Sequence, residues 1–304
     1  MALSRVRLVP VFAMSCLLSL QSVQAQTAME YYSDRGCAHP IEPNPASYSR
    51  VVRDLVSSKT VDIDGSEWND TLIVGCEIDG AGGDGIQIRN VRNLAIVGCN
   101  IKDVRGTGIR IRSTGSTTGV QLIGNRIVGT GENGISAAKR VKDEVDHTNL
   151  VIAGNQVRDT GKRGKRGLYH GIYSQVSDVT IFRNRVEGDR DGNGISIRSS
   201  GVVACNAISG RSDDDKPGIR YFADNYSGPS RLLIIRDNEI RGSSPAIDIR
   251  TPDSWAKRET DALVTTFVVE NNRTTSEEAV SVDDYWLDLE RARLTLEGNQ
   301  QIGG

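Results

Sequence analysis

The sequence is thin in the residue types that most often announce chemistry. Histidine occurs 3 times in 304 residues, and aromatic side chains make up 5%. None of the 5 cysteines has the Cys/His spacing of a zinc site. Beyond residue 20 no apolar run is long enough to span a bilayer. No stretch sustains the apolar period of a helix, which makes leucine-rich and helical repeats poor fits. Lys and Arg number 37 against 39 Asp and Glu, so bulk charge argues against general nucleic-acid binding.

What the chain does have is a recurring phrase. A short Gly-Ile-x-Ile strand is followed, after a turn, by an apolar strand ending in Asn or Cys. The first half appears at Gly85-Ile86-Gln87-Ile88, Gly108-Ile109-Arg110-Ile111, Gly194-Ile195-Ser196-Ile197 and five related places. The second half ends at Cys76, Cys99, Asn125, Asn155, Asn184, Asn206, Asn238, Asn272 and Asn299, at spacings of 22 to 34 residues. A fixed phrase with a variable spacer means stacked coils whose insertions become surface loops. Ile alternating with polar residues is the period of a strand with one buried face. An amide at each bend can bond the turn backbone and the same amide one coil away, about 4.8 Å along the stack.

These strands and this Asn column resemble the right-handed parallel β-helix proteins, the pectate-lyase-like superfamily with its Asn ladder, over about residues 60–304. The resemblance implies an all-β solenoid of about nine coils. It leaves function open, because the same phrase serves lyases, hydrolases, epimerases, phage tailspikes and adhesins.

The ends and the cysteines bound the context. Arg5, Arg7, the apolar run from Leu8 to Leu20 and Val23-Gln24-Ala25 read as a signal peptide over 1–25, giving a periplasmic or secreted protein. Removing it leaves 35 basic against 39 acidic residues. Residues 26–58 read as an N-terminal segment with a short amphipathic helix over 46–57 lidding the first coil, and 59–304 as the solenoid. Tyr285, Trp286, Leu287 and Leu289 are placed to close its far end. Cys76 and Cys99 occupy one column in adjacent coils, inside disulfide range at about 4.8 Å. A disulfide and two stacked thiols both fit.

Residues alternating with the buried Ile side chains point outward in two columns. One reads Gln87, Arg110, Ser136, Tyr173, Ser196, Arg220, Asp248, Ser281; the other reads Arg89, Arg112, Ala138, Gln175, Arg198, Phe222, Arg250, Asp283. Arginine gathers here in an acidic protein, with small residues between, as in a shallow trough with positive walls. Guanidinium forks suit carboxylates, so an acidic polysaccharide is the natural occupant. Solvated arginines that blunt strand edges are the plain alternative.

Candidate chemistry sits at Leu168-Tyr169-His170-Gly171-Ile172-Tyr173. Removing the proton α to a uronate carboxylate needs a base, a cation and a proton donor. Tyr173 and His170 are assigned the proton transfers and Arg198 and Arg220 the carboxylate. Arg89, Arg110, Arg112, Gln175, Arg250, Lys165 and Arg166 are assigned the flanking subsites. Parity works against His170: two residues before the buried Ile172, it falls in a column with Asp84, Thr107, Asn133 and Asn193 that reads equally well as a polar ladder.

Resemblance within the superfamily helps by exclusion. The paired carboxylates of polygalacturonases are missing, and Asn193 stands where their Gly-His-Gly strand has His, which demotes inverting hydrolysis. The Trp-Ile-Asp-His signature of calcium-type pectate lyases is also missing. Tyr169-His170-Gly171 with Arg198 is similar to the His base and Arg neutraliser of alginate C5-epimerases, without their Asp-Pro-His-Asp motif. Asp213-Asp214-Asp215 could bind calcium or simply be solvated; no other cofactor is implied. The expectation is uronate β-elimination or C5-epimerisation. The rival is a non-catalytic polysaccharide-binding or assembly β-helix, consistent with the scarcity of stacking aromatics. A glycosidase using Asp84, Asp189 or Asp191 requires those acids to share one cleft.

Overall fold

A chain built from strands of two to seven residues separated by corners cannot satisfy its backbone within one coil, so every coil bonds to the next. In the computed structural model, residues 36–38, 41–139, 145–164, 167–210, 216–222, 232–250, 266–282 and 293–303 are described. The chain divides into two units, 1–39 and 40–304. The described part of the first is a 3-10 turn, Gly36–Ala38. The second unit is a solenoid of three parallel sheets. The first sheet runs from Arg50–Arg53 to Arg293–Glu297, the second from Val56–Ser57 to Gln300–Gln301, and the third from Val61–Asp64 to Val280–Val282. Their main paths hold ten, ten and nine strands among the described residues, all paired in parallel, and such crossovers coil right-handedly. No helix among the described residues is long and apolar enough to cross a membrane.

The core is a set of aliphatic stacks running along the axis. Ile73, Ile96, Leu122, Ile152 and Ile181 line the first sheet, Ile78, Ile101 and Ile127 the second, and Ile86, Ile109, Ile135 and Ile172 the third, each at most 1% exposed. Burying one such side chain contributes about 1.5–3 kcal/mol. The glycine before six of the nine third-sheet strands, from Gly85 to Gly218, is a packing requirement. A Cβ on Gly134 would lie 2.2 Å from Val157 Cγ1 and 2.6 Å from the Gly171 carbonyl oxygen.

The Asn column is a continuous buried ladder. Asn184 Oδ1 accepts from Asn155 N (3.0 Å) and Asn155 Nδ2 (2.9 Å), while Asn184 Nδ2 donates to Ile152 O (2.9 Å) and Asn206 Oδ1 (3.0 Å). The pattern repeats from Asn125 to Asn299. At its head Cys99 N donates to Asn125 Oδ1 (2.9 Å), and Cys76 and Cys99 are joined as a disulfide with Cα atoms 4.3 Å apart.

The expected lid helix over 46–57 is overturned. A 3-10 turn, Pro45–Ser47, leads into strands Arg50–Arg53 and Val56–Ser57, the first rungs of their sheets. The helical spacing of Tyr48, Val52 and Leu55 serves a strand, a corner and a strand equally well. Tyr48 covers Leu72 and Ala95, while Val52 and Leu55 reach the main core. β-branched Val51 and Val52 favour that extended pairing with Thr71–Val74. The signal-peptide stretch 1–25 and the closing residues Tyr285, Trp286, Leu287 and Leu289 lie outside the described residues.

Candidate functional site on the third sheet

The outward column read from the sequence is a true in-register ladder. Gln87, Arg110, Ser136, Tyr173, Ser196, Arg220, Asp248 and Ser281 pair strand to strand along the third sheet. Ser136 and Ser196 are buried, 5% and 0% exposed, and form a floor between larger side chains.

Most arginines of this face already hold a carboxylate. Arg89 pairs with Asp62 (3.1 Å) and Asp64 (2.8 Å). Arg110 reaches Asp84 (3.2 Å), Thr107 Oγ1 (2.8 Å) and Glu132. Arg220 and Arg250 grip Asp248, which is 1% exposed, at 2.8 and 3.0 Å. Arg112 contacts Gln87 Oε1 (3.3 Å), and Gln175 Oε1 accepts from Lys139 N (2.7 Å). The subsites assigned to Arg89 and Arg110 are thereby narrowed, because an arginine that already holds two carboxylates has no net positive charge left to offer. Farther along the same face, Arg198 meets the Arg220–Asp248–Arg250 group. Lys165, Arg166 and Asp213-Asp214-Asp215 lie outside the described residues.

Four residues assigned to catalysis come together. The Tyr173 ring stacks on the His170 imidazole, centroids 5.6 Å apart and planes 11° apart. The Arg198 guanidinium lies 5.4 Å from the Tyr173 ring centroid and 4.7 Å from that of Phe222, whose carbonyl oxygen accepts from Arg198 Nη1 at 3.3 Å. Burial, then the charges of Arg198 and Arg220, push the His170 imidazole down to about 3. The imidazole is therefore neutral at ordinary pH.

His170 also has a structural duty, as parity suggested. Its N–H donates to Asn133 Oδ1 (2.7 Å), and its Nδ1 accepts from Asn193 N (2.9 Å), which puts the ring proton on Nε2. Asp84 Oδ1, Asn133 Oδ1 and His170 Nδ1 thus each accept from the backbone N–H of the next coil. The ladder stops at Asn193, whose Oδ1 is buried without a partner. The third-sheet register places Pro217 there, and proline has no N–H to give.

The loop before His170 is pinned from both sides. Asp191 accepts from the N–H groups of Gly167 (3.1 Å), Leu168 (3.0 Å) and Tyr169 (3.0 Å). Arg163 Nη1 reaches Glu132 Oε1 at 3.1 Å, and Tyr169 Oη lies 3.5 Å from the same oxygen. Asp189 is buried and its carboxyl pushed up to about 7, although Asp191 N (3.1 Å) and Gly192 N (3.3 Å) donate to it. Asp84 stands four coils away from this turn, about 19 Å at ~4.8 Å per coil. The three acids do not share a cleft, and the glycosidase reading is set aside.

Sequence reasoning missed Phe222 as a clamp on Arg198, and Glu132, Asp191 and Asp248 as anchors. Asp248 and Phe222 stood in the outward columns, so their partners were within reach of the register. Glu132 and Asp191 lie on turns, where no period locates a side chain. A separate groove of about 630 Å³, lined by Leu72, Val97, Ile123 and Phe182, lies on the first sheet, away from Tyr173.

Residues 57–157 match the family described as right handed beta helix region. No curated protein matches the sequence. Among solved structures, the A-module of the Azotobacter vinelandii mannuronan C-5 epimerase AlgE4 is similar with a TM-score of 0.49 at 13% identity, over 83% of this chain and 76% of that one. The periplasmic alginate epimerase AlgG gives 0.37 at 14% identity, over 81% and 78%. The Dettilon tailspike protein gives 0.38 at 12% identity, over 81% and 61%. With three parallel sheets stacked coil on coil, the chain folds as a right-handed parallel β-helix.

Proposed function

We propose that this chain binds an acidic polysaccharide along the outer face of the third sheet and removes the C5 proton of a uronate there, leading to β-elimination or C5-epimerisation. The observation that carries the reading is the Tyr173 ring stacked on the His170 imidazole with the Arg198 guanidinium 5.4 Å from its centroid, and Arg220 one coil beyond Ser196. In this scheme Tyr173 Oη takes up the C5 proton. Arg198 and Arg220 neutralise the substrate carboxylate as charge develops on C5. His170 serves as a neutral neighbour that fixes the Tyr173 ring, since its Nδ1 is taken by the Asn193 N–H. Arg112, Gln175 and Arg250, with Lys165 and Arg166, are assigned to neighbouring sugars. The Cys76–Cys99 disulfide suits a periplasmic or secreted setting.

A second reading is favoured by one specific observation. Arg89, Arg110, Arg220 and Arg250 are each bonded to carboxylates of the chain itself, as on a structural surface. A non-catalytic polysaccharide-binding β-helix follows from that. The test is ultraviolet absorbance of a new C4–C5 double bond with alginate, pectate and glycosaminoglycans, with polymer retention measured in parallel. Absorbance that Tyr173→Phe and Arg198→Ala both abolish supports the lyase. Retention without turnover or proton exchange supports the binder.

A further inference from the structure

In the coil that follows His170 and Tyr173, two buried side-chain oxygens have no hydrogen-bond partner, Asn193 Oδ1 and Ser196 Oγ. Asn193 belongs to the corner before the strand, and Pro217 accounts for it. Ser196 has no such account. It lies on the outer face, between Ile195 and Ile197 of the core, and is 0% exposed. Its neighbours in register are Tyr173 and Arg220, and Arg198 follows two residues along the same face. An unpaired hydroxyl in a water-excluded position is an uncompensated desolvation cost, and alanine would fill the same space without it.

We propose that Ser196 is a substrate-binding residue whose hydroxyl donates to a carboxylate oxygen of the uronate held by Arg198 and Arg220. The proposal rests on the uronate reading above. A carboxylate offers more lone pairs than two guanidiniums use, and a short donor on the floor takes one from below. The side chains beside Ser196 are long, and arginine stems change rotamer quickly, so an entering carboxylate can part them. Serine reaches the carboxylate without carrying charge. The cost of the unpaired hydroxyl in the empty site is then relieved in the complex, which sharpens preference for an acidic sugar over a neutral one.

The test is calorimetric titration of the full chain and of Ser196→Ala with uronate hexasaccharides from alginate and pectate and with their carboxyl-reduced forms, alongside thermal unfolding. The expected result is about tenfold or weaker binding of the acidic hexasaccharide by Ser196→Ala. The reduced form should bind equally to both proteins, and the melting temperature should be unchanged or higher. Equal affinity for the acidic sugar overturns the assignment while leaving the uronate reading intact. So does an equal loss with the reduced form, or a melting temperature that falls with the affinity. Wild-type protein that binds no hexasaccharide overturns the uronate reading, and the assignment with it.

Discussion

Replacing Asn184 by alanine removes one rung from the middle of the ladder, and its cost follows from four bonds. Asn155 N and Asn155 Nδ2 lose their shared acceptor, while Ile152 O and Asn206 Oδ1 lose a donor. The two orphaned donors weigh most, because Asn155 is 0% exposed and no solvent reaches it. At 1–3 kcal/mol for each buried unsatisfied group, the substitution costs about 2–6 kcal/mol. Asn299→Ala, at the half-buried last rung, also removes an acceptor from Asn272, but water can replace it, and the cost should stay below about 1 kcal/mol. Equilibrium urea unfolding of both variants, followed by circular dichroism and by tryptophan fluorescence, measures the difference. Agreement of the two probes checks that the solenoid still unfolds as one unit. Equal costs at Asn184 and Asn299, or a cost under 1 kcal/mol at Asn184, would refute the view that the ladder holds the coils together.

Other perturbations have defined outcomes. Asp248→Asn strips a buried carboxylate from Arg220 and Arg250; it should cost about 2–4 kcal/mol of stability yet strengthen acidic-polymer binding with a steeper salt dependence, read by titration at two ionic strengths. The Cys76–Cys99 bridge spans 23 residues, so Cys76→Ser with Cys99→Ser should lower stability by about 3 kcal/mol in urea. His170, held near 3 against 6.5 unfolded, makes stability rise with pH between those values. Asp189, held near 7 against 3.8 unfolded, makes stability fall across nearly the same window, so the two slopes offset. Asp189→Asn should therefore expose a rise from pH 3 to 6.5, and His170→Asn a fall from pH 4 to 7, in melting temperature against pH. If neither variant differs from wild type in slope, the buried states assigned to these groups are wrong.

The fold was legible because its causes repeat. Each Gly-Ile-x-Ile and each ladder Asn answers the same packing and hydrogen-bonding demand, so one coil read correctly gives the rest. The outward column from Gln87 to Ser281 followed from strand alternation alone, whereas the shared column of Cys76 and Cys99 fitted a disulfide and two stacked thiols alike, and the structure joins them. The segment over 46–57 misled because apolar residues three and four apart also fit two short strands around a corner. At the candidate site, alternation placed Tyr173, Arg198 and Arg220 together. It could not reveal that Asp248 grips two arginines or that Glu132 folds back onto Arg110, since those contacts depend on rotamers and turns. His170 shows the limit most clearly, because one residue both lines the corner ladder and stacks on Tyr173.

The measurement closest to the central claim is deuterium incorporation at C5 of the uronate in deuterated water, followed by nuclear magnetic resonance on the polymer the protein binds. Both elimination and epimerisation begin with loss of that proton, so the experiment does not depend on which follows. The account predicts turnover-linked exchange or loss at C5 that falls by about 10²–10⁴ in Tyr173→Phe while polymer binding persists. Bound polymer whose C5 proton neither exchanges nor leaves, or a Tyr173→Phe protein as active as wild type, would contradict it.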